Sequence, residues 1–426
     1  MTDARVTNWA GNVAFRAARF HEPATVEAVQ ELVAGSARVR ALGTGHSFNR
    51  IADTVGELVS LRLLPQVLEI DRQARTARVS GASRYGEVGA ALQTVGLALP
   101  NTGSLPHISI AGACATGTHG SGRANPVLSR SVRALTMVQG DGRLVSLARD
   151  DPGDAETFDG SVLALGRLGL VTELTLDVVP TYDVAQSVVR DVPDATVAER
   201  LGEILGSAYS VSVFTALEPD RNRVWLKQKV DAALLDQPPG PADLWGGRLA
   251  ETPQHPIDGI DAESATEQLG VVGPWNERMP HFRLDFRPSA GDELQSEWLV
   301  PFELATRAWR SLLGIRDIVR RQLLVSEIRC VAADPMWLSS TAGRDCVAFH
   351  FTWRPDPTHV VPVVAEIERR LEQYDARPHW GKVFTVSGEW LRPRYPHMAE
   401  FRALVERHDP SGRFGNELVD GWLGIG

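Results

Sequence analysis

The stretch Arg40-Ala41-Leu42-Gly43-Thr44-Gly45-His46-Ser47-Phe48-Asn49 places an imidazole on a loop with two glycines, directly after an apolar run that can end a strand. Glycine reaches backbone conformations closed to other residues and lets another molecule lie against the main chain, so a histidine here can meet a cofactor rather than a core. A second glycine-rich run follows at Gly112-Ala113-Cys114-Ala115-Thr116-Gly117-Thr118-His119-Gly120-Ser121-Gly122. Two loops of this kind predict a large anionic ligand gripped by backbone amides.

Each familiar motif that these loops approach lacks a residue. Gly43-Thr44-Gly45 begins like a dinucleotide fingerprint, but Phe48 stands at the third glycine, and Glu69 and Asp71 do not close the strand–helix–strand unit. The Gly112–Gly117 spacing is that of a P-loop, yet Thr118-His119 follows instead of Lys-Ser/Thr. Gly45-His46-Ser47-Phe48-Asn49 ends on Asn49 where a hydrolase elbow needs glycine. With no HExxH or other tight histidine cluster, a catalytic metal is not expected.

The second half carries polar residues inside strand-like runs. In Leu324-Val325-Ser326-Glu327-Ile328-Arg329-Cys330-Val331, a period of two sets Val325, Glu327 and Arg329 on one face. In Val347-Ala348-Phe349-His350-Phe351-Thr352-Trp353, His350 pairs with Thr352, while Phe349, Phe351 and Trp353 turn the other way. His379-Trp380-Gly381-Lys382-Val383-Phe384 adds a lysine among aromatics. If these faces converge, they form a hydrogen-bonding pocket suited to a polyhydroxylated molecule. Taken singly, Glu327 and Arg329 also fit a salt bridge on an exposed sheet face, His350 a satisfied core histidine, Lys382 a solvated strand lysine and His46 a turn residue.

The elements that must position these residues follow from periodicity. Residues 13–180 mix short strands with a few helices. Val39–Leu42, Leu58–Leu61 and Thr76–Ser80 read as strands, and Leu170–Val179 as an alternating strand closed by Pro180. Thr25–Val33 reads as a helix capped by Thr25, with Glu27 in its first turn, and Tyr85–Val95 as a second helix. Asp150–Asp154 is a solvated acidic turn. From 181 onward longer strands alternate with amphipathic helices. One of these, Val360–Tyr374, puts Val360, Val363, Val364, Ile367 and Leu371 on a stripe opposite Glu366, Arg369 and Arg370. Leu235–Asp261, rich in Pro and Gly, reads as a surface excursion.

Composition sets the class. A chain of 426 residues with 43% hydrophobic and 23% charged residues can bury a large core and suits two domains. The net charge of −9, without a dense basic block, argues against nucleic-acid binding. Neither a signal-peptide pattern nor an apolar run of membrane-spanning length is found, so no membrane is expected. Cys114, Cys330 and Cys346 are far apart and unpaired in pattern, which predicts buried, reduced thiols in a cytoplasmic protein.

With these residues set out, the chain resembles the FAD-dependent alditol (xylitol) oxidases of the vanillyl-alcohol oxidase superfamily, with the aldonolactone oxidases as near kin. The resemblance spans essentially the whole chain. It is densest at Ala41–Asn49, Leu99–Ser109 and Gly112–Gly122, and continues through Gly273-Pro274-Trp275, Glu297-Trp298, Glu327-Ile328-Arg329, His350-Phe351-Thr352-Trp353 and Arg377–Phe384. It implies an α+β fold: a PCMH-type FAD-binding domain of two subdomains (1–180), a substrate-binding cap domain with a large antiparallel sheet flanked by helices (181–395), and a C-terminal segment (396–426) returning to the first domain.

The resemblance also implies FAD bound covalently through His46. Ala41, Leu42, Gly43, Thr44, Gly45, Ser47, Gly103, Ser104, Ser109, Gly112, Thr116, Gly117, Thr118, His119, Gly169, Val171 and His379 would complete the cofactor site. Ser104, Glu327, Arg329, His350, Thr352 and Lys382 would surround the polyol. Of these, Glu327, Arg329 and Lys382 would carry the chemistry, with Lys382 as proton acceptor if Arg329 and apolar neighbours depress its pKa. The implied reaction converts the terminal C1 hydroxyl of a xylitol- or sorbitol-type alditol to the aldose and reduces molecular oxygen to hydrogen peroxide, in a monomer. Gly103, where relatives often carry alanine, favours oxidase over dehydrogenase. The alternatives are an aldonolactone oxidase or dehydrogenase and a non-catalytic flavin-binding scaffold.

Overall fold

The computed structural model describes residues 6–230, 243–286 and 292–426. In the N-terminal part, the strands Arg19–His21, Val39–Ala41 and Glu57–Val59 form a small parallel sheet with Glu57–Val59 in the middle. The helix Val26–Gly35 follows the first strand. Thr25 caps it, its Oγ1 accepting from Ala28 N at 3.2 Å, and Glu27 lies at the positive end of the helix dipole. Next comes a five-stranded antiparallel sheet in the order Leu68–Asp71, Thr76–Ser80, Leu170–Asp177, Val132–Val138, Leu144–Ala148. Its central strand, Leu170–Asp177, alternates buried and half-buried residues, as expected for a sheet covered mainly on one side.

The C-terminal part is built on a nine-stranded antiparallel sheet. The order is Arg248–Leu249, Asp183–Val192, Asn222–Val230, Ser210–Thr215, Leu323–Val331, Cys346–Trp353, Leu294–Pro301, Arg377–Pro378, with Val272–Pro274 pairing along the edge of Asp183–Val192. The two faces differ in chemistry because side chains alternate along each strand. One face presents Val213, Val224, Leu226, Ile328, Val347, Phe349, Phe351, Trp353, Trp298 and Val300 to the helices Asp194–Leu205, Ala305–Leu313 and Pro357–Leu371. Fully burying such side chains contributes about 2 kcal/mol each. The other face carries Glu297, His350, Thr352, Glu327, Arg329 and Lys227, and these are buried too.

The helix Pro357–Leu371 begins three residues before the stripe predicts. Asp356 caps it, accepting from Thr358 N and His359 N, and Pro357 supplies the fixed φ of a first helical turn. The predicted stripe is buried, and Glu366 pairs with Arg369 and Arg370 on the outside.

Of the expected surface excursion, positions 235–242 lie outside the described residues. The remainder is mostly exposed or half-buried, as a surface excursion should be, with two local departures. Trp245 is 2% exposed in the core under the sheet, and Arg248–Leu249 adds an edge strand to Asp183–Val192. A Pro/Gly-rich composition marks turns but does not prevent a segment from sealing a sheet edge.

The helices Met398–His408 and Glu417–Leu423 return to the N-terminal part. Buried Arg40 donates to Phe414 O (2.7 Å) and Leu165 O (2.9 Å), and Arg167 pairs with Asp409 at 2.6 Å. Cys114, Cys330 and Cys346 are free and buried. Among the described residues no helix is long and apolar enough to cross a membrane.

Candidate functional site

The two glycine-rich loops lie against each other. Ser109 N donates to Thr44 Oγ1 at 3.1 Å, and Thr44 N points back at Ser109 Oγ at 3.4 Å. Neither Gly43 nor Gly112 has room for a side chain: a Cβ on Gly43 would collide with Ser109 Oγ, and one on Gly112 would lie 2.8 Å from the same atom. The amides of Gly43, Gly45, His46 and Ser47 have no hydrogen-bond partner among the described residues. Free amides beside bare glycine backbone suit the oxygens of a phosphate group.

Ala41 and Leu42 lead into the first loop, with Leu42 N bonded to Val59 O at 2.8 Å. Gly117, with φ of +73°, ends the helix Ile110–Thr116, and Thr116 Oγ1 donates to Gly112 O. Thr118 N bonds Ala113 O, which carries the chain on to His119. Gly169 and Val171 open the central strand of the five-stranded sheet. There a Cβ on Gly81 would come within 2.5 Å of Val171 O and 3.2 Å of Ala111, so this strand packs closely beneath the second loop.

His46 is held by its surroundings. Its ring stacks on Trp9 (centroids 5.0 Å apart), and Nδ1 shares a hydrogen bond with Thr44 Oγ1 at 3.0 Å. Burial, helped by His107 and Arg84, pushes its pKa down to about 4, so the imidazole is neutral at neutral pH. The loop is clamped to the segment that carries Lys382. Phe48 N donates to Gly381 O (2.7 Å), and Asn49 Nδ2 donates to both Trp380 O and Lys382 O (2.8 Å each).

Strand register assembles the second group. Glu297, His350 and Glu327 are direct neighbours across three adjacent strands, so their side chains share one row of the polar face. Arg329 lies two residues along from Glu327, and Thr352 two from His350. Arg329 Nη2 donates to Glu297 Oε1 at 2.8 Å, and Lys382 Nζ to Glu297 Oε2 at 2.5 Å. His119 Nε2 stands 3.3 Å from Glu297 Oε1, and the His119 and His379 rings are 6.0 Å apart. Glu327 Oε1 accepts from His281 Nε2 at 2.9 Å, and its Oε2 faces Arg329 Nε and His350 Nδ1, each at 3.5 Å. Ser104 Oγ meets Arg329 Nη1 at 3.4 Å.

The charges in this cluster hold one another. Burial by itself would raise Glu297, but Lys382, Arg329 and His119 outweigh it and hold the carboxyl well below its usual range. Glu327 is likewise held low against its burial, chiefly by Arg329 and His281. Burial lowers Lys382; Arg329 pushes the same way, and Glu297 opposes both. Burial drives His350 down to about 4, with Lys382 acting in the same sense. Arg329 Nε and His350 Nε2 have no hydrogen-bond partner among the described residues, Arg329 Nε being near Glu327 but not aligned with it. A cluster whose charges are paired but which leaves one N–H donor (Arg329 Nε) and one ring acceptor (His350 Nε2) open suits a neutral ligand bearing several hydroxyls.

The expected site residues therefore fall into two groups joined through the Asn49 clamp. Glu327 and Arg329 are 4% and 5% exposed, so the alternative of a salt bridge on an open sheet face does not apply. Three residues in or beside the cluster, Glu297, Lys227 and His281, were not in the expected set. Glu297 bridges Lys382 and Arg329. In its strand, Leu294–Pro301, the period of two sets Gln295 and Glu297 on one face, the same signal that singled out Glu327. Along Asn222–Val230 the same period puts Arg223, Trp225 and Lys227 on one face, opposite Val224 and Leu226. His281 sits in an irregular segment with no pattern to expose it.

The sequence matches the FAD binding domain family over residues 17–148 and the D-arabinono-1,4-lactone oxidase family over residues 292–422. The chain is 47% identical to an alditol oxidase from a Streptomyces species, over 98% of this chain and 99% of that protein. It is 27% identical to an L-gulono-1,4-lactone dehydrogenase from Mycobacterium tuberculosis, over 98% and 99%. Among solved structures, the fold resembles the cholesterol oxidase of B. sterolicum (TM-score 0.78, 15% identity, 98% of this chain and 96% of that one) and a chitooligosaccharide oxidase (TM-score 0.75, 15% identity, 97% and 93%). The unpartnered amides and crowded glycines fit the dinucleotide that the first family model requires. The chain belongs to the FAD-dependent alditol oxidase family, with the aldonolactone oxidases and dehydrogenases as more distant relatives.

Proposed function

We propose that the chain oxidises the terminal C1 hydroxyl of an alditol of the xylitol or sorbitol type to the aldose, with molecular oxygen reduced to hydrogen peroxide. The observation that carries this reading is the buried row of Glu297, His350 and Glu327 with Arg329 beside it, where the Arg329 Nε–H donor and the His350 Nε2 acceptor are left without partners between fixed charges. On this reading the chain divides into an FAD domain (1–180), a cap domain (181–395) and a returning C-terminal segment (396–426), and works as a cytoplasmic monomer.

FAD, when bound, would supply the two-electron acceptor for the hydride of the C1–H bond, with oxygen taking up the electrons as hydrogen peroxide. Gly43, Thr44, Gly45, Ser47, Ser109, Gly112, Thr116, Gly117, Thr118 and His119 would hold it, with Ala41, Leu42, Gly103, Ser104, Gly169, Val171 and His379 lining the same site. His46 would carry the covalent bond; a neutral ring has the lone pair that such a bond requires.

Glu327 accepts hydrogen bonds from polyol hydroxyls, and Ser104, His350 and Thr352 fix others, which orients C1. Lys382 in its amine form accepts the C1 hydroxyl proton at Nζ. The resulting ammonium lies against Glu297 Oε2, so the carboxylate stabilises the charge that this step creates. Arg329 favours negative charge on the reacting oxygen from the opposite side.

The test is peroxide release with xylitol, sorbitol and a galactono-lactone, together with the colour of acid-precipitated protein. Polyol turnover and a yellow pellet are expected. Turnover of the lactone alone would replace the reading with the aldonolactone one. A colourless pellet would remove the covalent bond.

A further inference from the structure

On the same face as the polar row, two strands further along the sheet, lies a buried lysine with no part in the chemistry above. Lys227 is 1% exposed in the strand Asn222–Val230, and its Nζ donates to Met279 O at 2.5 Å and Pro280 O at 2.8 Å. The turn it grips is tied down from two further sides. Thr266 Oγ1 donates to Pro280 O at 2.8 Å, and Gln186, fully buried on the neighbouring strand, donates to Thr266 O and Glu267 O at 3.2 Å each.

The next residue in this turn is His281, and it makes two contacts with the candidate site. Its backbone N donates to Ser104 O at 3.0 Å, and its Nε2 donates to Glu327 Oε1 at 2.9 Å. The ring is wedged edge-on between Phe214 and Trp225 (centroids 5.4 and 5.6 Å away), so its direction is fixed by packing. Its Nδ1 has no partner, which leaves Nε2 as the protonated nitrogen.

We propose that Lys227, by fastening the 279–281 turn to the sheet, is the positioning residue that sets Ser104 and Glu327 in register for the polyol. This deepens the polyol-oxidase reading and rests on it. The geometry explains why a lysine stands where an apolar residue would otherwise fill the sheet. Two buried carbonyls converge on one point and need one donor with two hydrogens, which the side chain supplies whether charged or neutral. Lys227 touches neither the glycine loops nor Lys382, so its effect falls on substrate placement. Its charge also helps burial to keep His281 neutral.

The experiment compares Lys227→Met with wild type in the FAD-loaded protein. KM for xylitol is expected to rise tenfold or more, with kcat within threefold and an unchanged visible spectrum. Amide hydrogen exchange is expected to quicken in the 278–284 and 102–106 peptides and to stay unchanged in 323–331. Thr266→Val, which removes one of the other ties, should do the same more weakly, and it serves if Lys227→Met does not fold. A lowered melting temperature with unchanged KM, or unchanged exchange in both peptides, would overturn the proposal. If wild type oxidises no polyol, the functional reading falls instead, and the exchange comparison alone decides the positioning role.

Discussion

Replacing Glu297 by Gln tests the centre of the site, since it removes one charge while leaving the side-chain shape. In the wild type this carboxylate is 1% exposed and sits 2.5 Å from Lys382 Nζ and 2.8 Å from Arg329 Nη2. A unit charge pair at 2.5 Å in an effective dielectric of about 20 interacts by roughly 7 kcal/mol. The amide oxygen of Gln still accepts one hydrogen bond and recovers part of this. A loss of about 3 kcal/mol remains, the lower end of what breaking a buried pair produces. Two effects follow. The ammonium formed on Lys382 loses its counter-charge, so kcat/KM for xylitol should fall by about a hundredfold. Lys382 also loses the group that opposes its deprotonation, so the rising limb of the pH–rate profile should move to lower pH. The assay is peroxide release against pH in protein whose flavin content has been matched to wild type. A kcat/KM within threefold of wild type, with the limb unmoved, would show that Glu297 is outside the proton circuit and would refute the role given to the pair.

Three other perturbations read separate parts of the site. His46→Ala should abolish acid-stable flavin and leave a protein that loses its yellow colour on precipitation; retention of colour would move the tether elsewhere. Gly43→Val should block cofactor loading by driving a side chain into Ser109 Oγ, so an unaltered flavin-to-protein absorbance ratio would contradict the cradle. His46, His281 and His350 are each held near 4 against a usual 6.5, mainly by burial, so the unfolded chain binds more protons between those values. Stability should therefore fall as pH drops from about 6.5 towards 4, by about 1 kcal/mol for each histidine at pH 5.5. Denaturant midpoints at pH 7.0 and 5.5 that coincide would argue against three neutral buried imidazoles.

What the sequence shows of this site depends on whether a residue's role is written locally. Glu327, Arg329, His350 and Thr352 stand out because a period of two must send them to one face, and that face proves to be the polar one. The glycine loops stand out because few backbones need so many residues without a Cβ. That Glu327 and Arg329 are covered rather than exposed is not written locally. The cover comes from residues such as Ser104, 225 positions away from Arg329. His281 is legible in no pattern at all, since its place is set by the Lys227 grip and the wedge of Phe214 and Trp225.

Glu297 is the instructive case, because its strand carries the same alternation as its neighbours and yet periodicity alone gives it no role. A period assigns a face, whereas a role needs register. Only when Leu294–Pro301 is laid beside Cys346–Trp353, and that strand beside Leu323–Val331, do Glu297, His350 and Glu327 fall into one row. Arg329 and Lys382 then have a single carboxylate between them. Two buried cations that close to each other would each lose their charge readily without it. The Arg329–Lys382 pair thus depends on an acid two strands away from Glu327, and the pH profile of Glu297→Gln reports that dependence directly.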